Sequence, residues 1–370
     1  MRRSRSGLGG ALAARTAQRM RELIDAGGYQ PGEPVPAVRR LASDWGISPA
    51  TAVHAYRRLV DEGVLTGLER VGHRVLSRPA DGRLDRDRRP GARPAHARIG
   101  DAQLAFLHDC ERLPCGFLGT AHPDPALVPA AELQAWIRRR LREDPSCGLD
   151  YRIGAGDPEL RRIIARQHGL RGRRASADDV VLANGCTEAL VLALGSLCAP
   201  GDLVAVESPT FFNHLRILEH LRLRVVEVPI DPAAGLDPRD LALVLERHRV
   251  RALLSVPVLH NPLGVSLTAE RQRAILAVCA RHGVAVVEDA IYAGLAGPGG
   301  RPSLYRDQDA PVPVITCGSA SKTIAPGWRI GWVLGGAHHE RILQAKIVGS
   351  LGSPALQQRA LAGFLAGRGE

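Results

Sequence analysis

Apolar residues follow two rhythms along this chain. Up to about residue 78 they recur at helical spacing among arginines. Beyond about residue 101 they collect into short continuous runs separated by helical stretches. The first rhythm predicts a helix over residues 8–26, with Leu12, Met20, Leu23 and Ile24 on its apolar side and Gly27-Gly28 ending it. PGEPVP follows as an extended connector, and residues 37–45 form a second, short helix closed by a sharp turn at Gly46. Ser48 is a good N-cap and Pro49 suits the first helical position, so a third helix runs to Glu62 and closes at Gly63. Residues 64–66 and 74–76 are expected to pair around 69–73 as a two-stranded wing. Helix, glycine turn, capped helix and hairpin together make a winged helix-turn-helix over residues 1–78.

The second rhythm predicts strands at 180–183, 203–207, 224–230, 252–258, 284–289, 314–317 and 330–334, alternating with helices. Several are apolar throughout, as strands covered on both faces are. Residues 101–370 are therefore expected to form a three-layer α/β domain on a mostly parallel sheet. Residues 79–100 are rich in proline, glycine and mixed charge, and read as a flexible linker.

Charge adds to this division. Of a net +11, +9 falls in residues 1–98, where 19 arginines face 10 acids. A basic head on a near-neutral body points to double-stranded DNA as a partner. The N-terminal residues of the third helix, Ser48, Ala50 and Thr51, with His54 one turn on, are candidates for the major groove. Arg39, Arg40, Arg57, Arg58 and the wing's Arg70 and Arg74 are candidates for phosphate contact, with His73 beside them in the wing. Seven scattered cysteines without a C-x-x-C pair support neither a metal nor a disulfide framework and fit a reducing cytoplasm. The longest uncharged run is broken by Pro257, Asn261 and Pro262, so no membrane span is expected.

In an open parallel sheet, ligands bind beyond the carboxyl ends of the strands. Asn184-Gly185-Cys186-Thr187 opens a helix and can present N–H groups and a hydroxyl to a phosphate. Phe211 follows the next strand, Asn261 lies in L-H-N-P-L-G, and Asp289 and Tyr292 lie in E-D-A-I-Y. Ser319, Ser321, Lys322 and Arg329 follow the strand at 314–317. One ligand needs a phosphate cradle, a stacking face, an anion for a ring nitrogen, donors for a phenolic oxygen and an amine for an aldehyde. It is pyridoxal 5'-phosphate. Only two of the 49 basic residues are lysines, Lys322 and Lys346. A Schiff base requires a primary amine, which arginine cannot supply. Lys322 stands where that amine is needed; Lys346, in a helical stretch, is expected to be solvated.

The stretch PGEPVPAVRRLASDWGISPATAVHAYRRLVDEGVLTGLERVGHRVL resembles the GntR family of bacterial transcription regulators, which implies DNA contacts at Arg39, Ser48 and Thr51. S-A-S-K with G-W-R, N-P-L-G and E-D-A-I-Y resembles a fold type I aminotransferase, and the pairing resembles the MocR/GntR regulators. That resemblance implies an internal aldimine at Lys322 and a pairing of Asp289 with the pyridinium nitrogen. It also implies Asn261 and Tyr292 at the phenolic oxygen and Phe211 stacked on the ring. Gly185, Cys186, Thr187, Ser319, Ser321 and Arg329 would surround the phosphate. Tyr151, in L-D-Y-R-I-G-A-G-D, would reach the phosphate of a second subunit in a homodimer. Cys186, Leu263 and Ala290 depart from the commoner residues at their positions. The family also continues into a small C-terminal domain that carries a carboxylate-clamping arginine, whereas this chain stops at Glu370. The domain is thus expected to be truncated at its C-terminus. The first expectation is a regulator that senses pyridoxal phosphate, or an amine or amino-acid effector, through Lys322. The alternatives are an aminotransferase with an accessory DNA-binding head, or a fragment in which only DNA binding is intact.

Overall fold

The computed structural model describes residues 6–25, 28–29, 32–62, 64–68, 72–75, 94–96, 121, 123–169, 175–295 and 303–367. Contacts divide the chain into two compact units, Met1–Arg88 and Arg89–Glu370.

The first unit holds α1 (Ser6–Asp25), α2 (Val38–Trp45), α3 (Pro49–Asp61) and the hairpin β1 (Leu65–Leu68) and β2 (Gly72–Val75). Ser48 caps α3 by accepting from the Thr51 N–H at 3.1 Å, with Pro49 in the first turn. Gly46 ends α2 in the left-handed region at φ +61, which makes the turn between the two helices. Met20, Leu41, Ala52, Ala55, Tyr56, Leu59, Leu65 and Val75 form the core. The buried side of α1 differs from expectation. It runs through Ala13, Thr16, Ala17 and Met20, while Leu12 and Leu23 are exposed. Small residues let α1 lie close against α3, so the larger leucines fall outside the contact. Strands β1 and β2 pair antiparallel, with Leu65 opposite Val75 and Leu68 opposite Gly72, which makes a tighter wing than expected. Gly63, the wing turn with Arg70, and residues 79–93 and 97–100 of the expected linker lie outside the described residues.

In the second unit one sheet is built from β3 (Ala95–His96), β4 (Val180–Ala183), β5 (Leu203–Ser208), β6 (Arg224–Asp231), β7 (Gly235–Leu236), β8 (Val250–Ser255), β9 (Ala285–Asp289), β10 (Val314–Ser319) and β11 (Gly331–Leu334). The strand order is β3-β6-β5-β8-β9-β10-β11-β4, with β7 paired to β6. Strands β6, β5, β8, β9 and β10 are mutually parallel, while β11 runs antiparallel to both β10 and β4. β3 pairs antiparallel with β6, so the C-terminal part of the segment expected to be linker instead edges the sheet.

The helices are α4 (Ala130–Glu143), α5 (Pro158–Gly169), α6 (Cys186–Leu197), α7 (Phe212–His220), α8 (Pro238–Arg247), α9 (Ala269–His282), α10 (His339–Ser350) and α11 (Ala355–Gly367). One face of the sheet, through Val204, Val206, Leu254, Val287 and Ile315, packs on α6, α7 and α10. The other, through Ala205, Leu253 and Val286, packs on α8 and α9. Helices α4, α5 and α11 cover the end near β4 and β11. Burial on both faces explains the unbroken apolar runs that marked these strands. No helix among the described residues is long and apolar enough to cross a membrane.

Leu59 is fully buried beneath α1. Leu59→Ala should destabilise the first unit by about 2–5 kcal/mol. Urea unfolding followed by circular dichroism checks it, with the second unit's transition unchanged.

Candidate functional site

Strand alternation decides which acid of Glu288-Asp289 is available to the α6 face. Asp289 ends β9 on that face at 4% exposure. Its Oδ1 accepts from the Ile291 N–H at 3.0 Å and from the Cys186 thiol at 3.3 Å. Its Oδ2 lies 3.1 Å from His214 Nε2. His214 is buried on α7, and its Nδ1 lies 3.0 Å from Thr210 Oγ1. We assign the tautomer in which Nε2 donates to the carboxylate and the Thr210 hydroxyl donates to Nδ1. Glu288 points to the opposite face, where it accepts from Thr316 Oγ1 at 2.6 Å and the Tyr305 N–H at 2.7 Å. Burial there raises its carboxyl to about 7.

Cys186, expected to offer its backbone N–H at the helix start, turns its buried thiol to Asp289. Burial first, and the neighbouring Asp289 second, hold the thiol well above its usual range. It is therefore a neutral donor to a carboxylate, and only the Cys186 backbone N–H remains at the start of α6.

Polar groups from three segments gather where α6 begins. Gly185 precedes the helix at φ +84. A Cβ there would collide with the Arg329 guanidinium, and a Cβ at Gly331 would collide with the Gly185 backbone. Both positions are glycine because loop, strand and arginine meet without space for a side chain. Arg329, itself left-handed at φ +53, donates from Nη1 to Ser321 Oγ at 3.2 Å and from Nη2 to the Asn184 carbonyl at 3.2 Å. Ser319 Oγ lies 2.8 Å from Ser321 Oγ and 2.8 Å from the Ile330 carbonyl. Thr187 Oγ1 accepts from Asn213 Nδ2 at 3.4 Å.

Lys322 follows Ser321, and its Nζ donates to the Ala121 carbonyl at 2.7 Å. Burial first, then the Arg329 charge, lowers its ammonium pKa, and Asp289 opposes them. Asn261 Nδ2 donates to Tyr292 Oη at 3.3 Å. Burial raises the Tyr292 phenol, and that hydrogen bond opposes the rise. Phe211 meets Phe212 at 4.8 Å and His214 at 5.6 Å between ring centroids, both edge-on. Tyr151 is 84% exposed between exposed Leu149 and Ile153.

Sequence reasoning missed His214. Its signal is a histidine four residues after Thr210, one turn inside the helix that opens behind Phe211. Lys346 is a correction: it was expected in solvent and is fully buried. Its Nζ donates to Glu188 Oε2 at 2.7 Å and Ser353 Oγ at 2.9 Å. Helix α10 packs its inner side on α6, and the ion pair compensates the buried charge.

In the first unit α3 exposes Ser48, Ala50, His54 and Arg57, and α2 exposes Arg39 and Arg40. Thr51 departs from expectation. It is 8% exposed, and its hydroxyl lies 2.8 Å from Ser48 Oγ, so it serves the helix cap. His73 is half-buried, with its ring 4.8 Å from the Tyr56 ring. Arg58 pairs with Glu62 at 2.9 Å, Arg40 lies 3.7 Å from Asp44, and Arg74 donates to the Gly32 carbonyl at 3.0 Å.

Fold and site together define an aminotransferase-type α/β domain accompanied by a winged helix-turn-helix. Residues 129–369 match the aminotransferase class I and II family, and residues 12–75 match the gntR family of bacterial regulatory proteins. The chain is 33% identical to the HTH-type transcriptional regulator YjiR of Escherichia coli K12, over 94% of this chain and 74% of that one. It is 31% identical to the HTH-type transcriptional regulator YdcR of the same organism, over 95% and 75%. The solved structure of an archaeal alanine:glyoxylate aminotransferase is similar at 29% identity with a TM-score of 0.62. That match covers 66% of this chain and 62% of the enzyme. The chain belongs to the aminotransferase class I and II family, within the MocR-type transcriptional regulators that join this domain to a GntR head. Pyridoxal phosphate dependence is a trait of that fold, and DNA binding a trait of that head.

With Lys346 sealed, Lys322 is the accessible side-chain amine of the chain. Reductive methylation should modify Lys322 in preference to Lys346. Its rate should level off below the ordinary lysine value of about pH 10.4. Peptide mapping across a pH series checks both points, and half-maximal labelling at or above that value would contradict the lowered amine.

Proposed function

We propose that this regulator binds pyridoxal phosphate at the carboxyl edge of its sheet and responds there to an amine or amino-acid effector. The observation that carries the reading is one cluster: an amine with lowered pKa at Lys322, a buried carboxylate at Asp289, and a cradle that a Cβ at Gly185 would fill. The residues fit the group. Gly185, Thr187, Ser319, Ser321 and Arg329, with the Cys186 N–H, would hold the phosphate. Asp289 would face the ring nitrogen, Asn261 and Tyr292 the phenolic oxygen, and Phe211 the ring.

Bound there, pyridoxal phosphate supplies an aldehyde that condenses with primary amines and a ring that withdraws electrons. The chain's own groups prepare that chemistry. His214 and Cys186 hold the buried Asp289 carboxylate by hydrogen bonds and keep it aimed. Partial burial first, and then the Arg329 charge, favour the neutral Lys322 amine. Tyr151, with Leu149 and Ile153, is offered outward and would complete the phosphate site of a second copy in a homodimer.

Residues 1–78 would form the DNA-binding head, and the second unit, with β3 at its sheet edge, the sensing domain. Arg39 and Arg40 would touch phosphates, with Ser48, Ala50 and His54 near base edges. A ligand can shift such a protein only by binding its two states differently, so the effector's signal is a difference in affinity between DNA-competent and DNA-incompetent forms.

Borohydride reduction in the presence of pyridoxal phosphate should attach the label at residue 322, and Lys322→Ala should abolish it. Label elsewhere would overturn the site. Incubation with an amino donor and a keto acid should shift the visible absorbance without sustained turnover; multiple turnovers would favour an aminotransferase carrying an accessory head. Arg39→Ala should weaken binding to duplex DNA and reduce the salt slope by about one, with cofactor absorbance unchanged. Fluorescence anisotropy over a salt series measures it.

A further inference from the structure

Glu188 sits in the first turn of α6, next to Thr187 and within the helix end assigned above to a phosphate dianion. A carboxylate there is favoured by the helix dipole, but it also competes with and repels any anion brought to the same end. The structure answers that conflict with the chain's second lysine. Lys346 Nζ lies 2.7 Å from Glu188 Oε2 and is itself fully buried. Ser350 Oγ donates to Glu188 Oε1 at 2.9 Å, and Ser353 Oγ accepts from Lys346 Nζ at 2.9 Å. Glu188 Oε2 also accepts from the Asn184 N–H, the residue whose carbonyl receives Arg329. Burial alone would raise the Glu188 carboxyl, but the bonds from Lys346 and the Asn184 N–H outweigh it and hold the acid below its usual range. Glu188 is thus a fixed charge, and Lys346 is the cation facing it.

We propose that Lys346 is a positioning residue for the phosphate cradle. It neutralises Glu188 so that the start of α6 stays free for the ligand's phosphate, and through Glu188 it fixes the Asn184–Gly185 turn. The same network reaches the loop after α10, where the Leu351 carbonyl accepts from the Gly154 N–H at 3.1 Å. Gly154 lies three residues from Tyr151. The pair therefore also braces, from behind, the segment offered to a second copy.

This inference rests on the proposed pyridoxal phosphate site, and its test separates the two. Dissociation constants of the full-length chain for pyridoxal phosphate and for pyridoxal, which lacks the phosphate, are read from visible absorbance. If wild type takes up neither aldehyde at Lys322, the site assignment itself fails. If it does, Lys346→Met should weaken pyridoxal phosphate roughly tenfold and leave pyridoxal nearly unchanged, because only the former meets the bared Glu188 charge. The double variant Glu188→Gln with Lys346→Met removes both charges and should recover most of that loss. Should the single variant fail to fold, Glu188→Gln alone gives an independent reading: it leaves the Lys346 cation unopposed at the start of α6 and should tighten pyridoxal phosphate relative to pyridoxal, whereas an unchanged ratio would overturn the proposal. A merely structural lysine would lower both affinities together. Equal losses for the two aldehydes, or a double variant no better than the single one, would overturn the proposal.

Discussion

A carboxylate at 4% exposure is the constraint around which the second unit is arranged. Burying a polar group without hydrogen-bond partners is costly, so a carboxyl group in this position needs donors around it. The fold supplies them from three directions. The turn after β9 gives the Ile291 N–H, the first turn of α6 gives the Cys186 thiol, and α7 gives the His214 ring. Each donor fixes the segment that carries it. The end of β9, the start of α6 and the start of α7 are therefore placed relative to one carboxylate, and those three ends are also where the cradle, Phe211 and Lys322 converge. Packing of Val204, Val287 and Ile315 against α6 supplies the bulk of the burial, while the buried acid selects the arrangement of the edge.

Two acids in succession show how strand geometry turns a motif into a division of labour. Neighbouring residues on β9 face opposite layers, so Asp289 serves the α6 face and Glu288 the α9 face. Glu288 is tied to the Tyr305 and Arg306 backbone and to Thr316. Those bonds make it a structural bracket beneath the sheet, with no route to the ligand side. On the neighbouring strand β10, Cys317 lies beside Asp289 on the same face as a fully buried thiol.

Much of this was legible in the sequence because it depends on local pattern. Apolar runs marked strands, Ser48-Pro49 marked the start of α3, and the loops after each strand carried the groups that gather at the edge. What escaped depends on partners far along the chain. Helix α10 lacks a clean apolar stripe, so nothing local reveals that Lys346 faces inward, and its partner Glu188 lies 158 residues away. The direction of the Cys186 thiol was not legible because a helix N-terminus predicts where backbone N–H groups point, while the rotamer answers to Asp289, 103 residues on. Leu12 and Leu23 looked like core residues by size, yet close approach of α1 and α3 selects Ala13 and Ala17. Thr51 looked like a reader of bases by position, yet its hydroxyl closes the cap. In each case the competing force is tertiary packing or satisfaction of a buried polar group, neither of which leaves a mark within a few residues.

The near-replacement of lysine by arginine gains a chemical meaning once Lys346 is seen to be sealed. Vitamin B6 aldehydes condense indiscriminately with surface amines, and a protein studded with lysines would carry stray adducts across its exterior. Guanidinium groups form no such adducts under ordinary conditions, so arginine in place of lysine would spare the exterior stray adducts of the pyridoxal phosphate proposed for the interior. Among its lysines, a carbonyl probe meets one accessible side-chain amine, Lys322.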